Sequence, residues 1–322
     1  MVRYEFELSD LARLRFAISP MWDLVISLRT LRDPATAAMH VPWVREVRER
    51  VRGLDLLPLL GLVPLSGYIP DCLTPPPDTP LASFEDELEL VRSTPAARVR
   101  REVVWRLEDG LSPELGEPFL HNPRRAVDRL ADSLAAYWEI ALEPHWPRVR
   151  ALLEADLLYR SRRLTEGGPT ALFADLHPAI GWGDEGLEVE IPYTSSVRLE
   201  GRGLLLVPTA FPARPAAITS PPWQPTVMYP ARGVALLWES GQPAPAEALV
   251  RVLGRGRAAI LLALDAPRTT GDIARRLEIT PGGASQHLSA LRAARLVSSN
   301  RHGRSVLYAR SPLADELVST AG

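Results

Sequence analysis

The chain has 322 residues and a mass of 35.5 kDa, more than one hydrophobic core usually organises, so two or three domains are expected. Hydrophobic residues make up 46 % and charged residues 24 %, the mix of a folded soluble protein rather than a disordered one. The net charge of -2 gives no argument for nucleic acid by itself, and the single cysteine, Cys72, excludes an internal disulfide framework or a thiolate cluster within one chain.

The charge is unevenly spread. Residues 246–322 hold 11 Arg against 6 Asp or Glu, a balance of +5, so the preceding 245 residues carry about -7 of the total. All 37 basic residues are arginine. Arginine also dominates where nothing suggests a contact, so a composition bias explains much of this, and a phosphate contact would be made by a guanidinium. The N-terminus (MVRYEFELSD) lacks a signal-peptide core. No apolar run reaches the ~18 residues of a membrane span. A cytoplasmic protein without membrane partners is expected.

In chain order, residues 1–170 read as helical, a domain for dimerisation, ligand sensing or both. Charged and apolar residues alternate at helical spacing in PWVREVRERV (42–51) and SFEDELELV (83–91). Three helix starts share one grammar, a cap residue followed by proline: Thr94-Pro95, Asn122-Pro123 and Thr280-Pro281. After Asn122, the apolar residues Ala126, Val127, Leu130, Leu134, Tyr137 and Trp138 keep to one face. A long helix from about Pro144 to Leu164 ends at Gly167-Gly168-Pro169. Pro75, Pro76 and Pro77 form a rigid loop. The apolar segment 54–70 reads as core, as do most of the aromatics Trp22, Trp43, Tyr68, Trp105, Tyr137, Trp138 and Trp146. A small-molecule effector, if one is bound, is expected between the helical and β parts.

From 171 to 243, short β-prone runs at 187–193, 196–201, 204–208, 226–230 and 234–238, punctuated by Gly and Pro, read as a small antiparallel sheet. Residues 241–245 (GQPAP) look like a hinge. The class is thus α+β: a mostly helical N-terminal region, a small β-rich region, and a C-terminal module over 246–322.

That module carries the most specific pattern. Residues 253–265 read as a helix with Ile260, Leu261 and Leu264 inward. Residues 267–270 read as a turn, and Thr269 and Asp272 have capping-box spacing. The next helix buries Ile273, Ala274 and Leu277, and Glu278-Ile279-Thr280 make a three-residue turn. A second helix, 281–294, buries Ala284, Leu288 and Leu291. This is the helix-turn-helix pattern. The following LVSSNRHGRSVLYARS (296–311) reads as a β-hairpin, a wing over 298–308.

A recognition helix turns its N-terminal residues toward base edges in the major groove. Gly282 and Gly283 would remove bulk where that approach is closest, although first-turn glycines are also tolerated without any such reason. Ser285, Gln286, Ser289 and Arg292 stand on the exposed face, and Gln and Ser suit base-edge hydrogen bonds. His287 reaches a phosphate or packs against the wing. Arg275 and Arg276 suit backbone contacts from the first helix, and Arg301 and Arg304 suit phosphate or minor-groove contacts from the wing.

Residues 250–310, and above all SQHLSALRAARLV (285–297) with RHGRSVLYAR (301–310), resemble the winged helix of ArsR/SmtB-type bacterial repressors, in particular an actinobacterial group with a long uncharacterised N-terminal domain. The resemblance covers about a fifth of the chain. It implies Ser285, Gln286, His287 and Ser289 at the DNA face, a homodimer on an inverted repeat of double-stranded DNA, and repression. Members that sense metals use a Cys-x-Cys motif, which is absent here, and His302 alone makes no metal site. No metal or cofactor is expected. No HExxH, GxSxG or phosphate-binding glycine loop is present, so no catalytic residue is assigned and an enzyme is not expected. A winged-helix scaffold that binds protein without reading DNA sequence stays open as the alternative.

Overall fold

In the computed structural model the chain divides into two compact units, Met1–Trp238 and Glu239–Gly322. The structure describes all residues except 37, 184–185, 192, 212–213, 222, 239–244, 265–266, 278, 303–304 and 321–322, and the side chains of 36, 245–248, 300–302, 305 and 319–320 are likewise outside the description.

The first unit runs β1 (Val2–Glu5), α1 (Leu8–Leu11), β2 (Arg15–Phe16), α2 (Pro20–Arg32), α3 (Val41–Arg50), α4 (Leu57–Leu62), α5 (Phe84–Arg92), α6 (Ala96–Glu108), α7 (Pro113–His121), α8 (Pro123–Ala141) and α9 (Trp146–Phe173), then β3 (Ile180–Gly183), β4 (Gly186–Val189), β5 (Ser195–Arg198), β6 (Leu205–Thr209), β7 (Ala216–Ile218) and β8 (Thr226–Pro230). Helix α2 is its centre. Ser19 accepts from the Trp22 amide at 3.1 Å, Pro20 opens the helix, and nearly every residue from Pro20 to Leu31 is buried. Asn122 caps α8 through the Arg125 amide, and the predicted stripe, with Ala131 and Ala141 added, is buried against α2 and its neighbours. Helix α9 breaks where expected, with Gly167 and Gly168 out of helical geometry before Pro169. In the segment 54–70, Leu56, Leu59, Leu62 and Val63 join the core. Thr94 is not a cap: α6 starts one residue later than the sequence suggests, and the Thr94 hydroxyl donates back to the Leu90 carbonyl at the end of α5.

The α+β class holds, but the β part is not an antiparallel sheet confined to 171–243. There are two mixed sheets, ordered β3-β4-β1-β5 and β2-β6-β8-β7. β1 runs parallel to β5 and antiparallel to β4, while β2, β6 and β8 are mutually parallel and β7 is antiparallel to β8. The first sixteen residues thus supply a central strand to one sheet and an edge strand to the other. Residues 1–170 and 171–238 lie in the same compact unit, Met1–Trp238, and 239–243, the end of the expected β-rich region, lie outside the described residues. The physical reason is burial on both faces. β6 (LLVPT) and the TVMY part of β8 are buried throughout, the signature of parallel strands covered by other layers. The run 234–238, expected as a strand, contains instead a 3-10 turn, Val234–Leu236, that drops Leu237 and Trp238 into the helical core.

Several ionisable groups lie inside this unit. Arg98 pairs with Glu102 at 2.9 Å, and Arg160 lies between Asp156 and Asp175. His40 accepts the Trp238 indole N–H on Nδ1 at 2.6 Å and stacks on Phe211. That geometry requires an unprotonated Nδ1, and burial pushes the imidazole down to about 4. Asp23 caps the amides of Ala210 and Phe211 at the end of β6, and Glu87 accepts the Met21 amide at 2.8 Å. Burial raises the Asp23 carboxyl to about 7 and the Glu87 carboxyl to about 8, outweighing those hydrogen bonds. Burial, aided by the Glu102 charge, likewise raises Asp71 to about 7.

A carboxyl whose folded pKa is raised holds its proton in the folded state after the unfolded state has lost it. Its contribution therefore shrinks as pH rises toward the folded value. His40 works the other way, but only below the ordinary imidazole value near 6.5. Between about pH 6.5 and 8 the buried carboxyls are thus expected to lower stability with rising pH. Glu87→Gln keeps a hydrogen-bonding oxygen and removes the charge. In denaturant titrations of the full chain it should gain on the wild type between pH 5 and 8, by on the order of 1 kcal/mol or more. A pH-independent difference would show that Glu87 ionises normally.

Candidate nucleic-acid interface

The second unit comprises α10 (Pro245–Leu253), α11 (Arg255–Ala263), β9 (Arg268–Thr269), α12 (Thr270–Arg276), α13 (Pro281–Ala293), β10 (Val297–His302), β11 (Ser305–Arg310) and α14 (Pro312–Thr320). Its core joins Ile260, Leu261 and Leu264 of the α11 segment, Ile273 and Ala274 of α12, Ala284, Leu288 and Leu291 of α13, and Leu296, Val297 and Ala314. Leu277 and Ile279 pack against that core from either side of the turn.

Both helix starts are built as their sequences suggest. Thr269 and Asp272 form a reciprocal capping box: the Asp272 amide donates to the Thr269 hydroxyl, and the Asp272 carboxylate accepts the Thr269 amide and hydroxyl. The Thr269 hydroxyl and amide hold the Asp272 carboxyl below its ordinary value, with nearby arginines adding to the effect. Thr280 accepts the Gly283 amide at 3.1 Å, with Pro281 at the first helical position. The end of α13 is closed by Arg295, in the left-handed region at φ 58°, which lets the Leu296 amide reach the Leu291 carbonyl at 2.9 Å.

The two glycines have different surroundings. A Cβ on Gly283 would stand 3.2 Å from the Thr280 hydroxyl, crowding the cap, whereas a Cβ on Gly282 would meet nothing within 4 Å. Gly282 therefore has no packing reason to be glycine.

The outward face of α13 presents Gly282, Ser285, Gln286, Ser289 and Arg292, all exposed. Among the described residues, Ser285, Gln286 and Ser289 make no side-chain hydrogen bond, and Arg292 donates to the Ser299 hydroxyl of β10 at 3.4 Å. His287 is set apart. It is half-buried, and its ring lies over Gly256 of α11, where a Cβ would come 2.6 Å from Nε2. Arg275 and Arg276 are exposed on α12, and Arg275 pairs with Asp272 at 3.2 Å. Strands β10 and β11 pair antiparallel from Val297↔Arg310 to His302↔Ser305, and Tyr308 packs on the core. Arg301 lies on β10. Its side chain and all of Arg304 are outside the described residues.

The segment 267–270, expected as a turn, gives the wing a third strand. β9 pairs with β11 through Leu307↔Thr269 and Tyr308↔Arg268, and Arg268 also donates to the Ala263 carbonyl. A two-residue strand whose partner lies nearly forty positions away leaves no local signal. The Arg292–Ser299 link was missed for the same reason, since neither position is distinctive by itself.

A family model described as a helix-turn-helix domain matches residues 257–300. No curated protein matches the chain. The matched span runs from α11 through most of β10, so the second unit holds a helix-turn-helix domain. That supports a DNA-binding regulator in general rather than an enzyme, with DNA as partner. Among the described residues no helix is long and apolar enough to cross a membrane, and no group of three metal-ligating side chains comes together.

Two substitutions separate the cap from the open glycine. Thr280→Ala should cost about 1 kcal/mol by leaving the Gly283 amide without its acceptor. Gly282→Ala should stabilise by about 0.4–1 kcal/mol, since it restricts the unfolded chain and meets no obstacle when folded. Urea denaturation of the two variants reads both, and a destabilising Gly282→Ala would contradict the open surroundings of that residue.

Proposed function

We propose that the chain is a sequence-specific transcriptional regulator, acting as a repressor, that reads the major groove with α13 and contacts backbone or minor groove with the wing. The observation that carries this reading is the division of α13 into two faces. Ala284, Leu288 and Leu291 fix one face in the core, and Ser285, Gln286 and Ser289 stand opposite, exposed and without described partners. Exposed short polar side chains on a rigidly held helix are suited to base edges, where a good bidentate contact contributes about 1–3 kcal/mol of discrimination. Gly282 and Gly283 let the first turn approach the duplex, and Arg292, Arg275, Arg276, Arg301 and Arg304 supply charge for phosphates. His287, lying over Gly256, supports the helix more than it reads bases.

The ArsR/SmtB-like pattern of 285–297 supports repression and a homodimer on an inverted repeat, and the actinobacterial group with a long N-terminal domain fits the 238-residue first unit. A single short helix reads few bases, and a dimer places two of them about 34 Å apart on one face of the duplex. In this reading the first unit serves dimerisation, effector binding or both, and the protein works in the cytoplasm.

The test is fluorescence anisotropy with a duplex spanning the chain's own promoter and a scrambled duplex, at two salt concentrations. A preference on the order of 10³ for the promoter is expected, falling with salt, and Gln286→Ala should weaken promoter binding by about 1–3 kcal/mol. Equal weak binding to both duplexes, unchanged in Gln286→Ala and Ser289→Ala, would contradict sequence reading through α13 and favour a protein-binding winged helix.

A further inference from the structure

Within the first unit, an open cleft of about 520 Å³ lies beside the paired strands β2 and β6 and is lined by Ala12, Arg13, Leu14, Arg15, Arg202 and Gln224. Three of its six lining residues are arginines, in the part of the chain that carries an excess of acid.

The arginines are held in place by main-chain carbonyls and by one another's neighbours. Arg13 Nη1 donates to the Gly201 carbonyl at 2.5 Å. Arg202 donates from Nε to Leu199 and from Nη2 to Arg198, again to carbonyls. Gln224 ties two of them together: its Oε1 accepts from Arg15 Nε at 2.6 Å and its Nε2 donates to the Arg202 carbonyl at 2.9 Å. Arg15 also donates to the carbonyls of Pro77 and Asp78. The backbone is shaped to the same end. Glu200, Gly201 and Gly203 all have positive φ, and a side chain on Gly203 would collide with the Arg13 backbone. The Gly203 amide is anchored on Asp10 at 3.0 Å.

Arg29 and Arg32 elsewhere in this unit are likewise held by carbonyls, whereas four of its other arginines are paired with acid. Arg92, Arg98, Arg106 and Arg160 each meet a carboxylate at 3.0 Å or less. Among the described residues no carboxylate comes within ion-pair distance of Arg13, Arg15 or Arg202. The Asp78 charge bears on Arg15 from further off. Carbonyl acceptors orient a guanidinium without neutralising it, and each guanidinium has five N–H donors, more than these bonds use. Three oriented, un-neutralised guanidiniums around one opening match the planar, multi-oxygen geometry of phosphate and carboxylate.

We propose that this cleft binds a small multivalent anion bearing phosphate or carboxylate groups. The site is separate from the DNA-reading face and does not depend on that reading.

The test is isothermal titration calorimetry of the full chain with sodium pyrophosphate and, separately, with sodium citrate, each against sodium chloride at matched ionic strength. Because the second unit is also arginine-rich, the discriminating variant is Ala12→Glu. It sets a carboxylate at the exposed rim of the cleft and removes none of the hydrogen bonds that build it. Arg202→Gln, checked by circular dichroism for retained fold, is the companion. Saturable binding of at least one probe, weakened about tenfold or more in Ala12→Glu and reduced in folded Arg202→Gln, is the expected result. The probe that binds identifies which of the two anionic groups the cleft takes. No saturable heat with either probe, or equal binding in wild type and Ala12→Glu, would overturn the proposal. Either outcome leaves the promoter titration to be judged by itself, since the second unit is unaltered in both variants.

Discussion

Everything exposed on α13 is set by what the helix buries. Ala284, Leu288 and Leu291, spaced for one face of a 3.6-residue helix, lock it onto the α11 segment and α12. With that face fixed, Ser285, Gln286, Ser289 and Arg292 must stand outward, and Gly282 must face open space. Thr280 fixes where the helix begins, and Arg295, in the left-handed region, fixes where it ends and sends the chain into β10. The wing is then held around Tyr308, where β9 pairs with Leu307 and Tyr308 of β11 and Tyr308 packs on the core. A rigid helix with a small, polar, uncommitted face is what sequence reading asks of a protein surface, because side chains already in position lose little entropy on meeting a base.

The first unit is organised differently. Its interior holds many ionisable groups, and their partners come from distant parts of the chain. Asp23 on α2 closes the end of β6, Glu87 on α5 caps the start of α2, and Asp156 on α9 binds both Tyr229 and the Arg232 amide beyond β8. Such links weld helices to sheets only when desolvation is met by good hydrogen bonds. Where a carboxyl gains a few backbone amides but no cation, it keeps a proton into the neutral range, as at Asp23 and Glu87. The arginines of the cleft show the converse, cations held by carbonyls with their charge left for a ligand.

Local signals in the sequence carried far. The caps at Asn122, Thr269 and Thr280, the stripe of α8, the break at Gly167-Gly168 and the buried set of the helix-turn-helix depend on neighbours within a few positions, and they appear in the structure as read. Long-range pairing did not show. β1 and β5 are nearly two hundred residues apart, β2 and β9 have two residues each, and parallel strands have no hairpin turn to announce them. The run 234–238 has strand composition, yet burying Trp238 against His40 and Phe211 favours a tight turn. Thr94 has cap composition but finds a nearer acceptor in the helix that precedes it. At the interface, the sequence left His287 between a phosphate contact and packing on the wing, and its ring lies instead over Gly256 of another helix.

Hydrogen–deuterium exchange of the full chain, with and without a saturating duplex that spans its promoter, tests the central claim most directly. The proposed mode of binding predicts slowed exchange concentrated in residues 281–292 and in the wing strands, with the first-turn amides near Gly282 among those affected. Protection confined to residues 1–238, or none in α13 while the duplex is bound, would contradict a DNA-reading role for that helix.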